Sequence, residues 1–278
     1  MASATKKKFN PLPGFKLTLG FTLFYLSIIV LLPIAALVIK TFGLSWREFW
    51  ELATNERAMA AYKLSLGASF AAALANAIFG SLLAWVLVRY KFPGQQFIDG
   101  LIDFPFALPT AVAGLTLANM FSENGWLGQF LVPHGIKGAF TPLGVAIALT
   151  FVGMPFSVRT LQPVLENFDR SVEEVAATLG ANRLRTFVQI IMPALLPTII
   201  TGFALAFARA LGEYGSIVFI SGNLPFKTEI APQLIVMRLE QYDYTGAMAL
   251  AVVLMILSFV ILGTINLLEN WSARFGKQ

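Results

Sequence analysis

The sequence lacks cysteine entirely, has a single histidine, and carries few charged residues for its length. Without thiols, disulfide frameworks, thiolate metal sites and cysteine nucleophiles are all excluded. One imidazole, His134, is too little for a histidine-ligated metal centre. Charged residues make up 13% of the chain, against roughly a quarter in soluble domains. Because so few charges cannot cover a water-facing surface, we expect an integral membrane protein.

Two further classes of function lack their sequence signatures. No G-x-x-x-x-G-K-[S/T] string occurs, so the chain has no phosphate-binding loop and is not expected to hydrolyse ATP itself. No basic, water-facing surface is visible, which argues against nucleic-acid binding. We therefore predict no catalytic residue, no metal ligand and no cofactor in this chain.

The apolar residues are gathered into runs long enough to cross a membrane as helices. A crossing helix needs about 20 apolar residues, and barrel strands are much shorter. The pattern predicts an all-α polytopic protein, one permease-sized bundle over residues 1–278 with six transmembrane helices. The first run exceeds the roughly 7–15 residues of a signal-peptide core, so we expect it to stay as a span. The six predicted spans are about 17–41, 65–88, 101–121, 143–163, 194–220 and 246–268.

Lysine and arginine are unequally divided between the two sides that six spans define. With the N-terminus inside, twelve of these cations fall on the inner side, seven on the outer side, and Arg209 within a span. Because cytoplasmic loops carry the excess of basic residues, we expect both termini in the cytoplasm. The inner cations are Lys6, Lys7, Lys8, Lys16, Arg89, Lys91, Arg159, Arg170, Arg183, Arg185, Arg274 and Lys277, and the outer ones are Lys40, Arg47, Arg57, Lys63, Lys137, Lys227 and Arg238.

A polar loop, residues 164–192, interrupts the apolar sequence and is expected on the cytoplasmic side. Ser171 and Glu174 have the spacing of a capping box, and Gly180 suits a left-handed helix end. Apolar residues at helical spacing flank the glycine, which predicts a helix, a glycine turn and a second helix, with Pro193 opening the next apolar run. The apolar sets are Val172, Val175, Ala176 and Leu179 before the glycine, and Leu184, Phe187, Val188 and Ile191 after it.

The pattern alone leaves two interpretations of the polar loop open: it packs on its own bundle, or it docks into a partner's groove. The spacing of Glu174, Gly180 and Pro193 resembles the EAA motif of the permease subunits of ABC importers, although Val175 replaces an alanine and Met192 a leucine. This resemblance implies that the loop contains the coupling helix, which sits in a groove of an ATPase. The residues implied at that contact are Glu174, Ala176, Ala177, Gly180 and Pro193.

Two charged residues, Arg209 and Glu213, lie within the fifth predicted span. Charges at membrane depth are costly and commonly functional. Their spacing of four residues predicts that they share a helix face and pair. The pair is either structural, or it lies on a translocation pathway where Arg209 meets an anion. Gly212 and Gly215 would leave the backbone room to move, as a gate requires.

Two prolines, Pro105 and Pro109, must break or kink the third predicted span. A broken helix exposes amides and a positive dipole end near Thr110, and such half-helix ends hold anionic substrates in some transporters. The alternative is a packing kink without a ligand. Asp103 argues against a bare anion site unless it pairs with a basic group.

The same strings carry a second, narrower resemblance. DFPFALPTAVAGLTL (residues 103–117), RALGEYGS (209–216) and SGNLPFKTEIAPQLI (221–235) resemble the sulfate and thiosulfate permeases of the CysT type, and the similarity extends along the whole chain. It implies a heterodimer with a CysW-type permease in the lipid of a bacterial inner membrane. It also implies two copies of a CysA-type ATPase that bind ATP and magnesium, and an extracytoplasmic sulfate- or thiosulfate-binding protein. The loop residues implied to meet that binding protein are Lys227, Thr228 and Glu229, unless this is an ordinary solvated loop.

Three other functions remain possible at this stage. The RALGE string is shared with molybdate permeases, so a molybdate or tungstate permease of the same superfamily is the nearest alternative. A secondary anion transporter would need ion-binding carboxylates in its spans, and only Asp103 and Glu213 qualify. A purely structural membrane subunit would leave the polar loop without a purpose.

Overall fold

The computed structural model describes residues 14–275, with side chains as far as residue 267. This part of the chain is built of helices joined by short loops, as expected for the predicted all-α class. Its helices include α1 (Phe15–Thr41), α2 (Trp46–Ala53), α3 (Glu56–Arg89), α4 (Gln95–Ile102), α5 (Phe104–Ala107), α6 (Thr110–Phe121), α7 (Gly128–Leu131), α8 (Pro142–Glu166), α9 (Ser171–Thr178), α10 (Arg183–Leu211), α11 (Gly215–Ser221), α12 (Ala231–Glu240) and α13 (Tyr244–Phe275).

Five helices of the described chain are long and apolar enough to cross a membrane: α1, α3, α8, α10 and α13. They correspond to every predicted span except the third. That span is divided into α4, α5 and α6, of which α6 is an apolar helix of only 12 residues. Pro105 stands in the first turn of α5 and Pro109 directly before α6. Because proline lacks a backbone donor and clashes with the preceding turn, each one starts a new helix.

The fifth predicted span, residues 194–220, was wrong at both ends. The helix begins at Arg183 and runs through Pro193, which therefore does not open a separate span. A π-helical turn over Phe187–Ile191 ends two residues before this proline and changes the local hydrogen-bond pattern of the helix. At the other end α10 stops at Leu211, and the chain resumes as the separate helix α11.

The long helices pack through small residues around α8. Half of the apolar part of α8 is buried inside the bundle, whereas α1 has no buried residue. A Cβ on Gly153 would lie 2.5 Å from Nδ2 of Asn76 on α3. A Cβ on Gly202 of α10 would lie 3.2 Å from Cα of Ser157 on α8. Glycine at these crossings lets the helices approach closely, which is the usual basis of helix packing in membranes.

The helix α3 carries an arginine near each end, and the two arginines have different partners. Arg57 forms two hydrogen bonds of 2.7 Å with Glu229, in the loop before α12. Arg89 pairs with Glu173 of α9. The polar loop 164–192 and the loop before α12 therefore lie at opposite ends of the bundle, as the predicted topology requires.

Candidate coupling and translocation sites

The first helix of the polar loop, α9, begins at Ser171 as predicted, but the Ser171 side chain does not cap it. The backbone amide of Ser171 donates to Oδ1 of Asp169 at 2.9 Å, and the Ser171 hydroxyl donates to Oδ2 at 2.7 Å. These two bonds also hold the pKa of Asp169 below its ordinary value. The predicted capping box of Ser171 and Glu174 was therefore wrong, because Asp169 takes the amide and Ser171 already lies inside the helix. Glu174 is exposed.

The end of α9 has the geometry that the glycine predicted. Gly180 has a φ of +82°, in the left-handed region. Its amide donates to the carbonyl of Ala177 at 3.0 Å, and the amide of Ala181 donates to the carbonyl of Ala176 at 3.0 Å. These two bonds form a Schellman motif, which ends a helix and reverses the chain. Asn182 then caps the next helix by accepting a hydrogen bond from the Arg185 amide at 2.8 Å.

The apolar residues that flank Gly180 form an exposed surface, which we call the loop face. Its side chains are between 40% and 83% exposed, although α9 and the start of α10 belong to the polar loop 164–192. Its members are Val172, Val175, Leu179, Leu184 and Val188. An exposed apolar patch of this kind, rimmed by polar residues, is typical of a protein interaction site.

The residues that the EAA resemblance singled out do not all lie on one side. Glu174, Ala177, Gly180 and Pro193 are exposed. Ala176 is only 5% exposed and packs inward against its own chain. Its small side chain is therefore explained by packing within the subunit, whatever the other four contact.

The helix α9 is tied to α3 by an ion pair that the sequence did not reveal. Nη2 of Arg89 lies 2.6 Å from Oε1 of Glu173, and the guanidinium carbon lies 4.8 Å from the Trp85 ring centre and 5.8 Å from that of Phe168. The Arg89 side chain is only 10% exposed. The arginine is thus held by a carboxylate and two rings, and it joins the second span to the polar loop. No local pattern predicts a contact between residues so far apart in the chain.

A second buried charge, Glu213, lies in the break between α10 and α11. It is 2% exposed and pairs with Arg209 at 2.5 Å, as the spacing predicted, although the two residues do not share a helix. Its other oxygen accepts a hydrogen bond from the backbone amide of Ser216 at 2.9 Å. The carboxylate thus lies at the amino end of α11, where the free backbone amides and the positive end of the helix dipole stabilise its negative charge. The Arg209 side chain remains 34% exposed.

The break before α6 and the break before α11 meet in the bundle. A Cβ on Gly215 would lie 2.2 Å from Oγ1 of Thr110, and a Cβ on Gly114 would lie 2.1 Å from the backbone oxygen of Ser216. Gly215 therefore permits close packing, and the expectation that it leaves the backbone room to move was wrong. Gly212 has only one neighbouring atom, at 3.9 Å. The amino end of α6 has no side-chain cap.

Asp103 pairs with a basic group. From the sequence, such a pair is required if an anion is to bind near the break in the third predicted span. Arg159 of α8 donates to both carboxylate oxygens of Asp103, at 2.8 and 2.6 Å, and to Oδ1 of Asp99 at 2.6 Å. Gln162 donates to the same Asp99 oxygen at 3.0 Å. This network joins the broken third segment to α8, and Asp103 is held by Arg159. Sequence reasoning had assigned Arg159 only to a side of the membrane.

The three loop residues expected at a binding protein differ in exposure. Lys227 is exposed. Thr228 is 1% exposed and its hydroxyl accepts a hydrogen bond from the Leu224 amide at 2.9 Å. Glu229 is 2% exposed and is held by Arg57. Two of the three side chains therefore stabilise the loop from within, and only Lys227 is available at its surface.

A bundle of apolar helices with breaks inside it, a charged pair in one break and an exposed apolar loop at one end is the arrangement expected of a transport permease subunit. The sequence profile of the family described as "Binding-protein-dependent transport system inner membrane component" matches residues 76–272. The sulfate transport system permease protein CysT of Salmonella typhimurium is 49% identical over 267 residues, covering 96% of this chain and 95% of that protein. The protein of the same name from Synechococcus elongatus is 52% identical over 255 residues, 92% of each chain.

Solved structures show the same fold at low sequence identity. A subunit of a bacterial ABC transporter that imports the acidic polysaccharide alginate superposes with a TM-score of 0.76 at 16% identity, covering 92% of this chain and 94% of that one. A chain of the MetNI methionine ABC transporter superposes with a TM-score of 0.57, covering 82% and 99%. The chain belongs to the family of inner-membrane permeases of binding-protein-dependent ABC importers, in its CysT group.

Proposed function

We propose that this chain is one permease subunit of an ATP-driven importer of sulfate and thiosulfate, and forms half of the translocation pathway. Its 49% identity over nearly its full length to a protein named as a sulfate permease carries the proposal. Import of a divalent anion against a negative cell interior requires about 2.3 kcal/mol per charge for each 100 mV. An external energy source is therefore needed, since passive conduction would run outward.

We infer that the energy enters through the polar loop 164–192, with α9 as the coupling helix. The exposed loop face supports this, since it offers a groove of an ATPase an apolar surface with Glu174, Ala177 and Gly180 beside it. The two ATPase subunits would be of the CysA type, and ATP and magnesium would bind there. Closure of these subunits would move α9, and the Arg89–Glu173 pair would carry the movement into α3.

The remaining partners follow from the same proposal. A CysW-type permease would complete the membrane heterodimer, and both termini would lie in the cytoplasm. An extracytoplasmic sulfate- or thiosulfate-binding protein would dock at the opposite end of the bundle. The exposed Lys227 supports a contact there, and Glu229 with Thr228 would keep the loop in shape.

We propose that the anion passes the place where the two helix breaks meet. The partly exposed Arg209 supports this location, as do the uncapped amino end of α6 at Thr110 and the prolines that create it. Pro105 is buried and Pro109 exposed, so Pro105 shapes the break from within and Pro109 borders it. Glu213 would keep Arg209 from holding the anion too tightly, because the charge of the guanidinium is already paired with a carboxylate.

The proposal is tested with the chain co-expressed with its three partner types and reconstituted into vesicles. We expect ATP-dependent uptake of radiolabelled sulfate, inhibition by thiosulfate, and little inhibition by trace molybdate. Strong inhibition by molybdate alone would favour a molybdate or tungstate permease. Recovery of the tagged chain in a transport-active form without any ATPase subunit would favour a secondary anion transporter instead.

A further inference from the structure

A large apolar cavity lies at the end of the bundle opposite the polar loop. It has a volume of about 1040 Å³, is open on one side, and is lined by the end of α1, the helix α2, the first turns of α3 and one stretch of α13. Ligand sites in proteins have volumes of roughly 300–1,000 Å³, so this space is large enough for a bound molecule. The translocation residues described above do not line it.

The lining offers few hydrogen bonds to an occupant, because its side-chain hydroxyls already donate within the protein and its other polar groups are the indole N–H groups of Trp46 and Trp50 and the ammonium of Lys63. The hydroxyls of Thr41 and Thr54 donate to the carbonyls of Leu37 and Trp50, at 2.8 and 2.6 Å. The Tyr62 hydroxyl donates to the carbonyl of Leu250 at 3.3 Å. Lys63 is the only charged residue among the described residues that line the cavity, and its side chain is exposed. An occupant must therefore be apolar over most of its surface and can satisfy one cation.

The position of Lys63 along α3 agrees with the level of lipid phosphates. The helix has 34 residues and is therefore about 51 Å long, against about 30 Å for the hydrocarbon core. If the helix is centred, about 10 Å extends beyond the hydrocarbon at each end. Lys63 lies seven residues after Glu56, about 10 Å from the start of the helix, and so at the boundary between hydrocarbon and headgroups.

The helix α2 has the character of an interfacial helix at the same end. Trp50 lies in edge contact with Trp46 at 5.5 Å and with Phe49 at 5.4 Å, and these rings line the cavity. Arg47 and Glu51 pair on the exposed side of the helix. Clustered tryptophans beside a charged face are typical of helices that lie at the membrane surface. The cavity therefore opens where lipid chains and headgroups are both within reach.

We propose that this cavity binds an anionic phospholipid of the outer leaflet, with an acyl chain against α2 and α13 and its phosphate at Lys63. The assignment to the outer leaflet rests on the membrane orientation given in the proposed function. The binding site itself does not depend on that orientation. The lipid would fill the space between α1 and the remainder of the bundle, and would hold α1 in place. A cation at headgroup depth favours anionic over zwitterionic lipids.

The site is tested by photolabelling of the intact importer in nanodiscs. Phosphatidylglycerol with a diazirine on one acyl chain is compared with phosphatidylcholine that carries the same chain, and labelled peptides are found by mass spectrometry. We expect phosphatidylglycerol to label peptides that contain residues 38–54 and 252–257 more strongly than phosphatidylcholine does. Lys63→Gln should lower the phosphatidylglycerol labelling about fivefold, as expected for loss of one cation near an anionic headgroup.

Two further variants keep the test specific. Lys137→Gln removes an exposed cation that does not line the cavity, and should leave labelling unchanged. Met59→Trp fills part of the cavity and should reduce labelling by both lipids, while co-purification with the partner subunits shows that the variant is folded. Equal labelling by the two lipids, no effect of Lys63→Gln, or no labelling of these peptides would each overturn the proposal. None of these outcomes depends on sulfate uptake, so a failure of the proposed transport function can be distinguished from a failure of the lipid-site proposal.

Discussion

Arg89 at the end of α3 and Glu173 in α9 form an ion pair of 2.6 Å that joins the second span to the polar loop. The pair is shielded by the rings of Trp85 and Phe168, so solvent weakens it less than an exposed pair. Because α9 is short, its orientation depends on contacts with the bundle. The ion pair therefore gives α9, the proposed coupling helix, a fixed attachment to α3.

Glu173→Gln should separate ATP hydrolysis from transport. Loss of the charge leaves Arg89 with its ring contacts only, so α9 can move without moving α3. We expect sulfate uptake by the reconstituted importer to fall about tenfold while ATP hydrolysis continues, a size typical of coupling between sites. Uptake and hydrolysis are measured in the same vesicles.

The control for this variant is Glu166→Gln, which removes an exposed carboxylate at the end of α8 near the same loop. It should leave both rates unchanged. The double variant Arg89→Glu with Glu173→Arg should regain part of the lost uptake, since it restores the pair in reverse. Wild-type uptake in Glu173→Gln would contradict a role for the pair in coupling.

Substitutions of Gly180 test the left-handed turn alone, because a Cβ there has no neighbouring atom within 4 Å. Gly180→Val should fold into the membrane and yet lose coupled uptake, since a branched residue strongly disfavours a φ of +82°. The cost of that conformation is about 1–2 kcal/mol. Gly180→Asn should retain most uptake, because asparagine tolerates the left-handed region. Equal uptake by the valine and asparagine variants would show that the turn does not matter.

The Arg209–Glu213 pair is tested by a double-mutant cycle. Arg209→Ala should reduce uptake at least tenfold, because it leaves Glu213 buried at 2% exposure with its charge uncompensated. If the cation itself meets the anion, the double variant with Glu213→Ala should remain inactive. Restored uptake in the double variant would instead make the pair structural and remove Arg209 from the pathway. Expression and assembly of each variant are followed by co-purification of the partner subunits.

The sequence predicted local features well and long-range pairings poorly. Gly180 was identified because the left-handed helix end is a property of the backbone at one residue. The end of α10 at Leu211 was missed because the residues after the break are again apolar, and hydropathy does not register a break between two apolar helices. The inward orientation of Ala176 was missed because periodicity defines a helix face without saying what that face contacts. The contacts of Arg89 and Arg159 depend on how the helices pack together. Because their partners are distant in sequence, no local pattern in a single sequence predicts these contacts.

Two substitutions in the loop before α12 should have different effects: one on docking of the binding protein, the other on the stability of the complex. Lys227→Glu changes an exposed side chain, so it should weaken docking of the binding protein and raise the binding-protein concentration needed for half-maximal uptake, with normal assembly. Glu229→Gln breaks a bidentate pair with Arg57 whose carboxylate is almost fully buried, so it should lower thermal stability of the complex. Reduced stability in Lys227→Glu, or unchanged stability in Glu229→Gln, would reverse these assignments.

The contact between the two helix breaks is tested with three glycine-to-alanine variants. Gly114→Ala would bring its Cβ to 2.1 Å from the Ser216 backbone oxygen, and Gly215→Ala would bring its Cβ to 2.2 Å from Thr110 Oγ1. Each should destabilise the subunit by about 1–3 kcal/mol, as overpacking does. Gly212→Ala has its nearest neighbour at 3.9 Å and serves as the control, with stability unchanged or slightly raised. Stability is measured as the temperature at which the detergent-solubilised complex loses its size-exclusion peak.

Thr110→Ala distinguishes the two clashes within this set. It removes the hydroxyl that obstructs a Cβ on Gly215, whereas the obstruction at Gly114 is the backbone of Ser216 and remains. The added substitution should therefore restore much of the stability of Gly215→Ala and none of that of Gly114→Ala. If both variants recovered equally, or neither lost stability, α6 and α11 would not be in contact at the junction where we place the anion pathway.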